Sequence, residues 1–228
     1  MSKKDIKQGK SSKQFTRVSF LLDFERLHVE NINDIHKRLI LTNIILANFC
    51  HPKIQFTFNG KKIESNKTFK QFMERYFEGE MELMDCENLK IAVLPNQEND
   101  FNFINAINGI NVYDGGTPLD WASKQFISSL SEQMKKKYKN ISNGDIKGKI
   151  TFICFFKNMV NPRFNTQTKS NCITTYSDFK EIVKDSDFEK LGKQVYKNEA
   201  LSSPIIQIYK IAEEPGIVTG KQIGRAHV

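Results

Sequence analysis

The sequence predicts an α/β fold, an α+β two-layer sandwich with helices on one face of a sheet. Three observations carry that expectation. The run Ile150 to Phe156, ITFICFF, is apolar almost throughout, as in a central strand covered on both faces. Asp114-Gly115-Gly116 opens a turn into a long segment that sets Leu119, Ala122, Phe126, Leu130 and Met134 on one helical face. Strand-like and helix-like segments then alternate, and a polar loop follows the apolar strand.

The elements follow in chain order. Phe15 to Phe24 alternates loosely and predicts a short strand, entered without any partner before it. A helix is expected from about Asn33, with Ile35, Leu39, Ile40, Asn43, Ile44 and Ala47 as its apolar stripe. Asn31 or Asn33 would cap it, and His51-Pro52 would end it. Lys53 to Phe58 alternates as a strand, and Asn59-Gly60 signals a hairpin closing on Lys61 to Ile63. Thr68 to Phe77 has helical spacing. Leu89 to Leu94 reads as a strand stopped by Pro95, and Phe101 to Ile110 as a further strand.

After the glycine pair, Thr117 is the expected helix cap, with Pro118 at the first helical position and Asp120 completing a capping box. Lys135-Lys136-Lys137 at the far end suits the helix dipole. Asp178 to Val195 reads as a helix with Phe179, Ile182, Val183, Leu191 and Val195 inward, and Ile205 to Ile211 as a last helix. The expected organisation is a polar stretch at 1–13, a first block at 14–84, a second at 85–212, and a tail at 213–228. The final IGRAHV resembles a translated sequencing adapter, so the tail and its His227 are set aside as non-native.

Composition narrows the function classes. With 39% hydrophobic residues and 18 Phe, the chain can bury real cores. No apolar run is long enough to span a bilayer, and the lysine-rich start lacks the apolar centre of a secretory signal. Cys50, Cys86, Cys154 and Cys172 are too scattered for a zinc site and fit a reduced, cytosolic setting. The net charge of +8 suits a polyanion such as DNA, and equally a soluble domain from a lysine-rich proteome. The lysines at 135–139 and 147–149 could meet phosphates or simply solvate a helix end.

The candidate chemistry lies in the loop Asn161-Pro162-Arg163-Phe164-Asn165-Thr166-Gln167-Thr168-Lys169. Pro162 and a buried Phe164 would pin it and present Gln167 and Lys169 together. A lysine suits a terminal phosphate as a compact charge, and a glutamine can donate to a phosphate oxygen. From composition alone, a surface loop with one solvated lysine is the simpler reading. Gly115-Gly116 before a helix could form an anion site, but turn geometry with capping is simpler again.

Longer strings change the weighing. NPRFNTQTK, residues 161–169, resembles the NPxFxxQTK motif of type IIA DNA topoisomerase ATPase subunits, with every motif position present. INGINVYDGGT, residues 107–117, resembles that family's segment ending in GG(T/H)H. TRVSFLLDFERL, residues 16–27, resembles the last strand of its ATP-binding domain, and FTFNGKKI, residues 56–63, the hairpin that follows. All four stand in the family's order. The likeness covers roughly residues 14–212 and looks strongest towards the large subunits of T4-type bacteriophage topoisomerases.

The resemblance implies that 14–84 ends an ATP-binding domain and that 85–212 is a transducer domain, similar to the second-domain type of ribosomal protein S5. It implies that Lys169 contacts the ATP γ-phosphate with Gln167 beside it, so that the transducer couples nucleotide state to gate closure and duplex passage. ATP and Mg2+ are the implied cofactors. Implied partners are double-stranded DNA, a second copy through the ATPase gate, and a DNA-cleaving subunit or domain, with no membrane. The implied setting is the bacterial cytoplasm, phage-encoded. The family's general base, magnesium-holding asparagine, adenine-reading aspartate and glycine-rich lid lie upstream of the part matched here. The segment alone is therefore expected neither to hydrolyse ATP nor to cleave DNA. Two departures stand out: Pro118 in place of the family's histidine, and Ser170-Asn171-Cys172 after the lysine, which predicts a looser loop. The alternative reading is a non-catalytic nucleic-acid-binding α/β module.

Overall fold

The computed structural model describes residues 15–138, 140–182 and 184–213. Two compact units divide the chain between Arg38 and Leu39. The first carries a turn at 24–28 and the start of helix α1, Asp34–Cys50. Asn33 caps α1, as one of the two expected residues: its side chain accepts from Ile35 N–H at 3.0 Å and His36 N–H at 3.2 Å. The expected strand at 15–24 does not form. A strand exists through its ladder, and among the described residues no strand pairs with this stretch; its last two carbonyls, Asp23 and Phe24, accept from Leu27 and Val29 N–H in a turn instead. Phe15, Val18, Phe20 and Leu21 stand exposed there.

The second unit opens with the buried end of α1, where Leu46, Phe49 and Cys50 point inward. A minimal hairpin follows, β1 (Thr57–Phe58) and β2 (Lys61–Lys62), turned at Asn59 and Gly60 with φ of 49° and 76°. It is shorter than its alternation suggested. Helix α2, Phe69–Tyr76, starts at Thr68, whose hydroxyl accepts from Gln71 N–H at 3.1 Å. Gln71 reaches back to accept from Lys67 N–H at 3.2 Å.

The main sheet has five strands: β3 (Glu82–Asp85), β4 (Leu89–Pro95), β5 (Asn102–Ile107), β6 (Ile110–Asn111) and β7 (Ile150–Phe156). Their spatial order is β3-β4-β7-β5-β6. Among the described strands only β5 and β7 pair in parallel, joined by the crossover through α3 (Thr117–Lys135) and the short α4 (Asn143–Gly148). β7 is therefore central, as its apolar run predicts. The expected domain boundary at 84/85 falls inside β3. Strands β3 and β6 and helix α4 were not foreseen.

The faces of β7 explain the core. Phe152, Cys154 and Phe156 join a cluster with Phe126 and Leu130 of α3 and Leu191 and Val195 of α5 (Asp185–Lys197). Ile153 and Phe155 face the other way, onto Phe49 of α1 and Phe69, Phe72 and Met73 of α2. The α/β class holds, but helices cover both faces rather than one. Phe49, Phe72 and Phe155 pack with ring centroids 4.3 and 5.7 Å apart, favourable tilted and edge-on separations.

Two helix expectations change. The predicted helix from Asp178 begins instead at Asp185, after a 3-10 turn at Tyr176–Asp178, because the Asp178 side chain is committed to Thr175 and Arg163. Phe179, Leu191 and Val195 do point inward; the inward reading of Val183 lies outside the described residues. The last helix, α6 (Glu199–Glu213), starts ahead of Pro204 rather than after it. Of the tail expected at 213–228, Glu213 closes α6, and the rest, including the adapter-like IGRAHV, lies outside the described residues. All four cysteines are free thiols, and burial pushes Cys50 up to about 11.

Candidate functional site

The loop that follows β7 folds back as a small hairpin. Its arms meet at Phe164 and Cys172. Asn165 N–H donates to the Asn171 carbonyl at 3.3 Å, Ile173 N–H to the Arg163 carbonyl at 2.8 Å, and Arg163 N–H to Thr174 Oγ1 at 2.8 Å. The Arg163 guanidinium adds a clamp across the base, reaching Thr175 Oγ1 at 3.1 Å and Asp178 Oδ2 at 2.9 Å. The Thr175 hydroxyl, with the Arg163 charge, holds the Asp178 carboxyl below its ordinary range.

The tip is the turn Thr166-Gln167-Thr168-Lys169. Lys169 N–H donates to the Thr166 carbonyl at 3.1 Å, and Ser170 N–H to Thr166 Oγ1 at 3.0 Å. Lys169 has φ of 58°, which turns the chain back sharply. Gln167 and Lys169 are both exposed and share this one turn. The lysine amine lies 5.9 Å from the centroid of the Phe164 ring. Phe164 is half-buried rather than buried, so it serves as both anchor and rest for the amine.

The returning arm is bolted to the glycine pair. Asp114 N–H donates to the Ser170 carbonyl at 2.8 Å, Cys172 N–H to the Gly115 carbonyl at 3.1 Å, and Thr117 N–H to the Cys172 carbonyl at 2.9 Å. This overturns Thr117 as the cap: Gly116 occupies that place, with φ of 115°, and Thr117 is the first helical residue. A Cβ on Gly116 would overlap the Cys172 carbonyl oxygen and sit 2.5 Å from Asn171 Oδ1. Only glycine allows that approach. The Thr117 N–H, one of the groups an anion would seek at the start of α3, is occupied by the loop backbone. The turn therefore acts structurally. Ser170 and Cys172 are buried, so the departure after the lysine leaves the loop fastened rather than loose. Pro118 is buried in the first turn of α3.

The structure thus brings the two motif strings together and leaves the basic runs apart. Lys135 and Lys136 close α3, and Lys147 and Lys149 lead into the start of β7, whereas the hairpin follows the end where β7 finishes. Lys147 sits 4.3 Å over the Phe101 ring, and Lys149 donates to Asn99 at 2.5 Å. Sequence reasoning missed Asn171 and Asn108, although Asn108-Gly109 is a legible turn signal. Among the described residues, no group of three or more His, Cys, Asp or Glu could hold a metal, and no helix is long and apolar enough to cross a membrane.

Comparison with known proteins fits this geometry. The family model for DNA gyrase B matches residues 56–215, spanning the hairpin, the glycine turn and the QTK tip. The chain is 29% identical over 193 residues to the DNA topoisomerase large subunit of Enterobacteria phage T4, covering 84% of this chain and 36% of that protein. It is 28% identical to DNA topoisomerase 2 of Penicillium chrysogenum, covering 89% of this chain and 14% of that protein. The fold superposes on the ATPase region of Saccharomyces cerevisiae topoisomerase II with a TM-score of 0.65 at 20% identity, over 82% of this chain and 48% of that one. The chain thus spans only part of each relative. With more than half of its residues matched by the family model, the chain belongs to the DNA gyrase B family.

Proposed function

We propose that this segment serves an ATP-dependent type II DNA topoisomerase subunit, where it senses bound nucleotide through Lys169 and passes that state to gate closure and duplex passage. The reading rests on one observation: an exposed lysine at the tip of a hairpin whose other end is fastened to the start of α3. ATP held by an adjoining ATP-binding domain, with Mg2+, would supply the terminal phosphate that the amine meets. The residues present fit the outer edge of a nucleotide: one amine and one amide at a tip. Lys169 rests against Phe164 near the outer limit of a cation–π contact, worth only about 0.5–1 kcal/mol at an exposed site. A charge-assisted bond to phosphate is roughly twice as strong as a neutral one, so the amine would exchange its partner readily. Gln167, in the same turn, would donate its amide to a neighbouring oxygen.

Transmission follows from the bolt. The Cys172 carbonyl holds the Thr117 N–H, so the hairpin and α3 move as one piece unless that bond breaks. On this reading, residues 14–84 complete an ATP-binding domain and its connection, and 85–212 form the transducer. The exposed Phe15, Val18, Phe20 and Leu21 would then be covered by the rest of that domain. Double-stranded DNA, a second copy at the gate and a DNA-cleaving partner belong to the same proposal, as does a bacteriophage origin with action in the host cytoplasm. The test is Lys169→Ala in a subunit carrying this segment and its ATP-binding domain. ATP turnover and strand passage should fall at least tenfold with the melting temperature unchanged; turnover within twofold of the parent refutes the role. The isolated segment should show no ATPase above background.

A further inference from the structure

The hairpin has two attachments, and the one at its entry depends on a single side chain. β5 and β6 are joined by Asn108-Gly109. Asn108 has φ of 51°, which asparagine tolerates, and its N–H donates to the Phe156 carbonyl at 2.8 Å, on the last residue of β7. Its side-chain amide then pairs with a backbone as another strand would: Nδ2 donates to the Met159 carbonyl at 2.8 Å, and Oδ1 accepts from Met159 N–H at 3.0 Å. Both polar groups of the buried Met159 backbone are satisfied by one residue. Beyond it, residues 160–162 make no hydrogen bond among the described residues until Arg163 N–H meets Thr174. Met159 is thus the last fixed point before the hairpin.

The turn that carries Asn108 is itself held. Gly109 lies so close to α1 that a Cβ there would be 3.0 Å from Ala47 Cα and 3.3 Å from Cys50 Cβ. The Asn108 carbonyl lies 3.3 Å from His51 Nε2. On the other flank, Lys157 N–H donates to the Asn88 carbonyl at 2.8 Å, and Asn158 Nδ2 to Asn88 Oδ1 at 3.0 Å. The chain leaving β7 is gripped from both neighbouring strand turns, but among the described residues only Asn108 reaches as far as Met159.

We propose that Asn108 is a positioning residue for Lys169: through Met159 it sets where the hairpin leaves the sheet, and hence where the amine arrives. The proposal rests on the sensing role of Lys169. A displacement of about 1 Å at a reacting centre can cost on the order of a hundredfold in rate, so an unanchored entry should be felt at the tip.

The informative variant is Asn108→Gly, which keeps the positive φ and removes both side-chain bonds. Asn108→Asp keeps the acceptor for Met159 N–H and sets a carboxylate against the Met159 carbonyl. In the chain itself, Asn108→Gly should raise amide exchange at Met159 and across residues 166–170, while α2 and β4 stay protected. In a subunit with the ATP-binding domain, it should lower kcat for ATP about tenfold with KM within twofold, and Asn108→Asp should fall between Gly and the parent. A merely structural residue would move the melting temperature without that split. Unchanged exchange at 166–170, or a kcat within twofold of the parent, overturns the proposal. Lys169→Ala, measured alongside, separates the two readings. If it retains turnover, the sensing role fails. If it abolishes turnover while Asn108→Gly behaves as the parent, the positioning role alone is lost.

Discussion

Replacing Gly116 by alanine should loosen the hairpin from α3 without touching either exposed tip residue. The added methyl would overlap the Cys172 carbonyl oxygen and stand 2.5 Å from Asn171 Oδ1 and 2.8 Å from the Cys172 nitrogen, all well inside van der Waals contact. Two of these three atoms belong to the backbone of a fully buried residue, so no flexible side chain can simply swing away. The backbone itself, at φ of 115° and ψ of −174°, lies where residues other than glycine pay roughly 1–3 kcal/mol. The cheapest relief is to lift residues 171–172 off the turn. That breaks the Cys172–Gly115 and Thr117–Cys172 bonds, each worth about 0.5–1.5 kcal/mol net. The combined loss is about 4 kcal/mol, and for a chain of this length each kcal/mol lowers Tm by roughly 2–4 °C. A calorimetric melt should therefore drop by roughly 8–16 °C, with amide exchange accelerated first at Thr117 and Cys172. Gly115→Ala should cost less, since its Cβ would meet chiefly the movable end of Leu119 at 3.0 Å. A Gly116→Ala protein that melts within about 2 °C of the parent with Cys172 still protected would refute the reasoning.

Three further outcomes are expected. Thr68→Ala removes the acceptor for Gln71 N–H at the start of α2 and should lower stability by about 1 kcal/mol by denaturant unfolding; no change would mean the cap is not used. Asn105 is fully buried on β5, with both side-chain polar atoms unpaired among the described residues. Asn105→Val should therefore raise the unfolding free energy by roughly 1–2 kcal/mol, and a fall would point to a buried water or a partner on that amide. The Asp178 carboxyl is held below its ordinary value of 3.8, so its clamp contributes fully above that pH and is lost as pH falls through the lowered value. An NMR titration should show the Thr175 and Arg163 resonances shifting only in that acidic window, and not at all in Asp178→Asn.

The elements legible in the sequence were those whose signal is local. ITFICFF is long, apolar and unbroken, and only a central strand disposes of such a run. Asn59-Gly60 and Thr68 carry their geometry in their own side chains and backbone preferences. What escaped was created by partners. Residues 110–111 are a strand only because residues 106–107 lie beside them, and Glu82–Asp85 carries acids at both ends and gains its place from β4. Residues 15–24 show the converse: a strand-like pattern with no ladder to join. Thr117 was the better cap by side chain, yet the Cys172 carbonyl took its N–H and the loop needed the space at Gly116.

The candidate site divides along the same line. The tip residues Gln167 and Lys169 could be named because NPRFNTQTK resembles a family motif; the composition of the loop alone favoured a solvated surface lysine. Their attachment could not be named, because it runs through N–H and C=O groups that every residue possesses. For the same reason Ser170-Asn171-Cys172 looked like a loosening change and is not one. The bonds from Asp114, Gly115 and Thr117 reach the backbone of residues 170 and 172, whatever their side chains. Sequence change after the lysine should therefore be tolerated wherever the replacement stays small enough to remain buried, while the position at 116 should accept glycine alone. The glycine pair and the QTK string, more than forty residues apart, are two halves of one joint, and the half without a functional group is the one that cannot vary.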